Sequence, residues 1–381
     1  MSREFATVLV IGGTGHFGAR ICRRLVTEPG ARLVVSSRSA ESAARFAATL
    51  GGMPSSSSVI SAALDHHSDA FEAELAALEP DVVIHTAGPF QGQDYRVAKA
   101  CVRCGSHYID LADGRRFVAG FGSNLDTEAR AAGVLLVTGA STLPGLSSAV
   151  VRELTDGWRQ VDAIEIVIAP AQQTPRGVAT IAAVLSYCGK SFKVLNDGRW
   201  EDRYGWQSLK PMRYWQLGTR LSAVCDVPDL ELFPLRDSKL KTVVFRAALE
   251  SKLEHLVLWV FATLVRMGVV ADWAPFAKSF QGLSRLSRRL GSDLGGMRVE
   301  VRGLDGSGTP QRREWSLVAR QNHGPEIPVS PALILARKLI RGALPLRGAY
   351  PCVDLISVQD FREEVSSLDI AWRTETEVAE Q

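Results

Sequence analysis

A glycine-rich loop stands directly behind the first strand-like run of the chain, and few folds accommodate that combination. Val8-Leu-Val-Ile11 leads into Gly12-Gly-Thr-Gly15-His-Phe-Gly18, and a helical stretch carrying Ile21, Cys22 and Leu25 follows. A G-x-G-x-x-G spacing between strand and helix lets backbone amides and a positive helix end face a diphosphate. Gly13 is expected to permit the tight turn, Gly15 to let the backbone approach the pyrophosphate, and Gly18 to let helix pack on strand. Thr14, His16 and Phe17 complete the loop, with Gly12 as an extra leading glycine. An NAD-selective site offers an acid at the end of the second strand, for the ribose hydroxyls. This chain reads Val34-Val-Ser36-Ser37-Arg38-Ser39, with no acid there. Arg38, assisted by the Ser36 and Ser37 hydroxyls, suits a 2′-phosphate, so the expected cofactor is NADP.

The rest of the first 140 residues agrees. Runs at Thr7–Ile11, Arg32–Ser36, Val59–Ala63, Asp81–Thr86, His107–Leu111 and Val134–Thr138 alternate with helical patterns, a βα rhythm. They scarcely alternate with polar residues, as strands covered on both faces do. The Pro54–Ser58 tract breaks the chain before the third of them. After Ser147 the rhythm changes. Val161–Ala169 and Lys241–Glu250 read as strands, Gly177–Tyr187, Leu253–Met267, Phe276–Leu290 and Pro331–Gly342 as helices. Met297–Gly303 and Glu314–Arg320 flank the turn Leu304–Pro310 as a hairpin. The expected fold class is α/β, a Rossmann doubly wound parallel sheet with a second α+β domain. The domains are placed at 1–157, 158–345 and a C-terminal segment, 346–381, that returns to the first domain and ends in a frayed acidic tail from Thr374.

The formal charge of +3 over 381 residues gives no basic arm for nucleic acid. Six cysteines without a dense, even spacing point to reduced thiols, and Cys101-Val-Arg-Cys104 lacks the second pair that a closed zinc site needs; no metal is expected. The N-terminus shows no apolar signal segment, so a cytoplasmic location is expected. Leu256–Val265 covers only roughly 15 Å of a ~30 Å hydrocarbon core. It reads as a buried helix, with peripheral contact to lipid or a partner as the alternative.

Several residues are candidates beside the loop. Asp65, after the third strand, can touch adenine or cap the next helix. Ala87-Gly88-Pro89-Phe90 ends the fourth strand, where the turn can meet the nicotinamide ribose and Phe90 can wall the ring. His85 and Asp110 lie near carboxyl ends of strands and are the candidate acid/base groups. Against that stand a structural role for His85 and helix capping for Asp110. Tyr108 is placed in the core, on the opposite face from Asp110. Gly139–Ser148 is either an anion-holding loop or a hinge. Arg199, Arg203, Lys210, Arg213 and Arg220, with Trp200, Trp206 and Trp215, are either carboxylate forks or solvated charge around a buried aromatic cluster. Tyr95-Arg-Val-Ala-Lys99 matches the Tyr-x-x-x-Lys pair of short-chain dehydrogenases, but one βα unit too early.

Asp81-Val-Val-Ile-His-Thr-Ala-Gly-Pro-Phe90, Ala100-Cys101, Gly105-Ser-His-Tyr-Ile-Asp110 and Gly133-Val134 resemble the NADP domain of the saccharopine dehydrogenase-like family. The similarity is clear over residues 5–150 and more diffuse through Cys225–Pro234, Gly295–Met297 and Gly324-Pro325. It implies a Rossmann domain joined to an α+β domain that supplies much of the substrate pocket and often a dimer interface, so a homodimer is expected. The family spans glutamate-forming saccharopine reductases, carboxynorspermidine synthases and lipid-modifying enoyl reductases. Where some relatives carry a Gly-Phe-Asp-x-x-Pro loop, this chain has Gly139-Ala-Ser-Thr-Leu-Pro-Gly145, with no acid. The expected function is hydride transfer between NADPH and a C=N, C=C or C=O bond of a small or lipid-like molecule. The alternatives are a non-catalytic NADP-binding sensor or scaffold, and an NADP-using epimerase or isomerase.

Overall fold

Six short apolar runs and one late arrival build the first sheet. A computed structural model of the chain describes residues 5–52 and 58–378, so most of the Pro54–Ser58 tract lies outside the described residues. The strands are β1 (Ala6–Ile11), β2 (Ala31–Ser37), β3 (Ser58–Ala63), β4 (Val82–His85), β5 (His107–Asp110) and β6 (Leu135–Thr138). Between them run α1 (Gly18–Leu25), α2 (Ala40–Gly51), α3 (Phe71–Ala77), α4 (Arg96–Cys104) and α5 (Arg115–Ala131). After α6 (Ser147–Leu154) come β7 (Gln160–Ala169), α7 (Val178–Ser186), β8 (Ser191–Asn196), β9 (Arg199–Tyr204), β10 (Lys210–Tyr214), β11 (Gly218–Val224) and α8 (Asp229–Arg236). Then follow β12 (Thr242–Ala248), α9 (Lys252–Arg266), α10 (Ala277–Ser287), β13 (Gly295–Leu304) and β14 (Pro310–Ala319). The chain finishes with α11 (Ser330–Ile340), β15 (Gly348–Pro351), α12 (Val358–Glu364) and β16 (Ile370–Val378).

The first sheet is parallel throughout, in the order β15-β6-β5-β4-β1-β2-β3. Strand order reverses between β1 and β4, and ligands of open α/β sheets bind at the carboxyl edge beside such a switch point. Leu9, Val10, Val83 and Ile84 are wholly buried there. Each contributes about 1.5–3 kcal/mol by leaving water. That apolar weight holds the strand ends rigid beneath the loops.

The second sheet is mixed. Its main path is β10-β11-β12-β7-β13-β14-β16, with β8 pairing β12 and β9. Strand β7 runs parallel to β12 and antiparallel to β13, and β13 and β14 form the expected hairpin.

The chain divides into two units, residues 1–145 with 326–356, and 146–325 with 357–381. These borders differ from the expected 157/158 and 345/346. Helix α11 belongs to the first unit because it packs on β4, β5 and α1, with Leu333 and Leu335 fully buried. The C-terminal segment splits. Strand β15 joins the first sheet beside β6, whereas β16 adds to the second beside β14. The expected fraying from Thr374 is therefore corrected through Val378: Thr374 pairs with Trp315, and Val378 with Gln311. The backbone ladder outweighs the acidity of that segment, and Arg312 meets Glu377 across it.

Candidate functional site

The β1–α1 loop is shaped by two glycines in close contact. Gly12 has φ +76°, the left-handed conformation, and a Cβ at Gly18 would stand 2.2 Å from the Gly12 carbonyl oxygen. The tight turn therefore falls on Gly12, correcting its placement at Gly13. Gly13 is bare for another reason: a Cβ there would sit 3.0 Å from Val35 Cγ1 of β2. The loop is tied down from behind. The Gly13 amide donates to Ser36 O at 2.8 Å, and the Gly15 amide to Gly12 O at 2.8 Å. Thr14 and Gly15 are exposed in front. No side chain caps the N-terminus of α1, and its first turn holds no acid. This is the opening a diphosphate fits, with amide donors on an electropositive helix end.

Two side chains that sequence reasoning passed over brace the loop. Thr86 Oγ1 donates to Ile11 O at 2.8 Å and to Gly12 O at 3.2 Å, joining the loop to the end of β4. Arg20 donates to His16 O at 2.8 Å and pairs with Glu326 at 3.1 Å. Arg20 lies one turn beyond His16 and could have been anticipated; Glu326 comes from the far end of the sequence and left no local signal. Burial, then the neighbouring Arg20 charge, lowers His16 to about 4. At neutral pH its ring, 3.4 Å from the Arg20 guanidinium through Nδ1, adds no positive charge to the loop.

Arg38 lies exposed just past the end of β2. Ser37 keeps its hydroxyl nearby, accepting from the Ser39 amide at 3.3 Å. Ser36 does not assist as expected. It is buried, and its hydroxyl donates to Val10 O at 3.0 Å, because that side chain points into the sheet packing. Asp65 caps neither α3 nor another helix; its Oδ1 accepts from the His67 amide at 3.1 Å and closes a turn. Burial, then the His67 charge, lowers His66 to about 4, with Asp65 opposing and Arg38 adding to the shift.

The turn after β4 is clamped by Gln93, whose Nε2 donates to Ala87 O at 3.0 Å and to Pro89 O at 2.7 Å. Gly88–Pro89 is a cis peptide. Phe90 turns into the core, its ring 5.2 Å from His85 and 5.7 Å from Phe117. The part of this turn that reaches the surface is Ala87-Gly88-Pro89.

His85 and Asp110 both end inside the protein. Burial holds His85 neutral, lowering it to about 3, and its Nδ1 lies 3.2 Å from the Tyr108 hydroxyl. Tyr108 also faces the Asp110 carboxyl. The expectation that Tyr108 and Asp110 occupy opposite faces of β5 is thus corrected, since residues two apart on a strand share a face. Asp110 Oδ1 accepts from the amides of Ala112 (2.8 Å) and Gly139 (2.8 Å) and from Thr138 Oγ1 (2.9 Å). Burial lifts its carboxyl to about 6 against the pull of these donors. Helix α5 begins at Arg115 with Gly114 as its cap, so Asp110 does not cap it. Asp110 instead binds the end of β5 to the end of β6. Tyr95 donates to Phe117 O at 2.9 Å and packs on Phe117, an anchor for α5.

The loop after β6 is buried from Leu143 to Ser148, and the Ser147 hydroxyl donates to Asp229, a carboxyl that burial lifts to about 7. In the second unit the expected basic–aromatic group disperses. Arg220 is buried against the carbonyls of Pro170 and Leu294, Trp206 packs on His255, and Trp200 is exposed. Lys210, Arg213 and Trp215 do come together, along a concavity of about 850 Å³ over a charged face of the second sheet. Glu165, Glu300 and Glu314 stand directly opposite one another across β7, β13 and β14. Like charges so placed repel. Arg298 offsets this by reaching all three, and Arg312 meets Glu300 and Glu314 at 2.9 Å each.

Helix α9 corrects the expectation of a buried helix: only His255 and Ala262 are fully enclosed, while Leu253 and Met267 are about 70% exposed. No helix among the described residues is long and apolar enough to cross a membrane.

The family model for the saccharopine dehydrogenase NADP binding domain matches residues 8–137. Among solved structures, the apo saccharopine dehydrogenase (L-Glu forming) of Saccharomyces cerevisiae aligns with TM-score 0.66 at 14% identity, over 97% of this chain and 100% of the other. That likeness supports the two-part fold. The DAP dehydrogenase of C. glutamicum (TM-score 0.49, 13% identity, 94% and 99% covered) adds nothing to it at that level of overlap. No curated protein matches in sequence. The bare phosphate loop and the 3-2-1-4-5-6 strand order give the first unit a Rossmann fold, and its residues 8–137 match the saccharopine dehydrogenase NADP binding domain.

Proposed function

We propose that the chain is an NADP-dependent oxidoreductase that moves a hydride between NADPH and a C=N, C=C or C=O bond of a small or lipid-like substrate. The observation that carries this reading is the uncapped α1 terminus behind Gly12–Gly18, with exposed Arg38 just past the end of β2 and no acid in the Val34–Ser39 segment. The loop amides would hold the diphosphate, and Arg38 with the Ser37 hydroxyl would hold the 2′-phosphate. The Ala87-Gly88-Pro89 surface would border the nicotinamide ribose. NADPH supplies the hydride when bound. His85 and Asp110 we assign to positioning: His85 is neutral and enclosed, and Asp110 spends one oxygen on three donors that fix the β5 and β6 ends. On this reading neither acts as a free acid or base toward the substrate.

The test is calorimetric titration of both cofactors, followed by NADPH oxidation with carbonyl, imine and enoyl compounds. The wild-type protein should prefer NADPH. Arg38→Ala should weaken NADPH binding by about tenfold to a hundredfold, since a hydrogen bond to a charged group is worth roughly 1.5–3 kcal/mol, and leave NADH unchanged. Equal binding of the two cofactors, or an unaffected Arg38→Ala protein, overturns the reading. Tight NADPH binding without oxidation by any compound in the panel would favour a sensor or scaffold.

A further inference from the structure

Helix α9 satisfies its own unit and still leaves apolar surface over. On one side Phe261 packs 4.7 Å from Trp273 and 5.3 Å from Phe280, Leu258 joins the cluster around Ile181 and Leu185, and Ala262 is fully buried. On another side Leu253, Leu256, Val260 and Met267 fall at i, i+3, i+7 and i+14 and are 44–73% exposed. They form one stripe of about 21 Å along the helix. Phe276 and Leu290 extend the exposed apolar surface beyond α9. In all, seven of the eleven large hydrophobic side chains exposed among the described residues lie between 253 and 290. Such a concentration marks an interaction surface rather than scattered surface residues.

The charges of the same segment select the partner. Residues 252–290 carry six basic side chains against two acidic ones, a net +4 where the whole chain carries +3. The two acids are already engaged, Glu254 with Arg176 at 3.7 Å and Asp272 with Lys190 at 3.2 Å. Lys252, Arg266, Lys278, Arg285 and Arg289 are exposed. A second copy packed stripe to stripe would set this positive surplus against itself, which is unfavourable in a two-fold contact. An anionic lipid surface meets both demands, accepting the apolar stripe and attracting the bases.

We propose that α9 and the segment through Leu290 form a peripheral docking surface for anionic membranes, with α9 lying in the plane of the headgroups. The full chain should float with phosphatidylglycerol/phosphatidylcholine vesicles and bind pure phosphatidylcholine vesicles more than about tenfold more weakly. Binding should fall as salt is raised. Leu256→Asp with Val260→Asp, and separately Arg288→Glu with Arg289→Glu, should each weaken it by about tenfold or more while the thermal midpoint stays put. Should either variant fold poorly, the lipid and salt dependence of the wild-type chain decides alone. No binding to anionic vesicles, binding indifferent to lipid charge, or binding that survives in both folded variants overturns the proposal. So does a solution dimer that Leu256→Asp dissociates, because the stripe would then be covered by a second copy.

Discussion

His85 ends β4 with its ring set among Phe90, Tyr108 and His66, and that enclosure decides its titration. Its value is lowered to about 3, whereas an unfolded histidine protonates near 6.5. Between those limits the unfolded chain binds the extra proton, so the contribution of His85 to stability is complete above about pH 6.5 and is lost as pH falls towards 3. His85→Gln should cost about 1 kcal/mol at neutral pH through its hydrogen bond to Tyr108. Below pH 6 its stability should fall less steeply than the wild type's, by up to about 1.4 kcal/mol per pH unit. Urea denaturation at several pH values measures the two slopes, and parallel slopes would refute the enclosed, neutral ring. His16 and His66, both lowered to about 4, leave a residual acid sensitivity in the variant.

At the scale of elements, the second sheet carries an arrangement no single strand predicts. Glu300 is only 3% exposed, between Glu165 on β7 and Glu314 on β14, and is met by Arg298, Arg302 and Arg312. Those arginines keep its carboxyl below its ordinary value although burial pushes the other way. Removing one partner of a buried charge network leaves the others uncompensated, at a cost of about 3–5 kcal/mol. Glu300→Ala should therefore lower the denaturation midpoint sharply, while Glu375→Ala, at the exposed end of the same row, should change it by less than about 0.5 kcal/mol. Equal effects from the two substitutions would mean that the row is no more than surface charge. The sequence pattern showed β13 and β14 as a hairpin through its Asp-Gly turn, but the glutamate row depends on register with β7 and β16, which lie far away in the chain.

For the whole molecule, the first unit is discontinuous. Its phosphate loop and switch point lie within residues 1–145, yet α11 packs on α1, β4 and β5, and β15 completes the sheet beside β6. Glu28, nearly buried, holds Arg337 at 2.8 Å and Arg341 at 2.7 Å. A fragment ending at Gly145 should expose the apolar ground under α11 and show no cooperative unfolding by circular dichroism. Joining residues 326–356 to it through a flexible linker should restore a single transition and NADPH binding. A fragment that unfolds cooperatively without the second segment would show that α11 and β15 are dispensable.

Much of the cofactor half was legible in the residues themselves. A βα unit is local: its strand, glycine turn and helix follow one another, so hydrophobic runs and bare glycines specify them without reference to the rest of the chain. The order of β1 to β6, the phosphate loop and the place of Arg38 came from that. Three things depended on tertiary structure. One was which glycine takes the left-handed turn; another was the withdrawal of Ser36, Phe90, His85 and Asp110 into packing. The third was the return of α11 and β15 to a sheet whose preceding strand, β6, ends at Thr138. These outcomes rest on contacts between distant segments, whose pairing is chosen by burial and register. Short-range patterns carry no record of that choice.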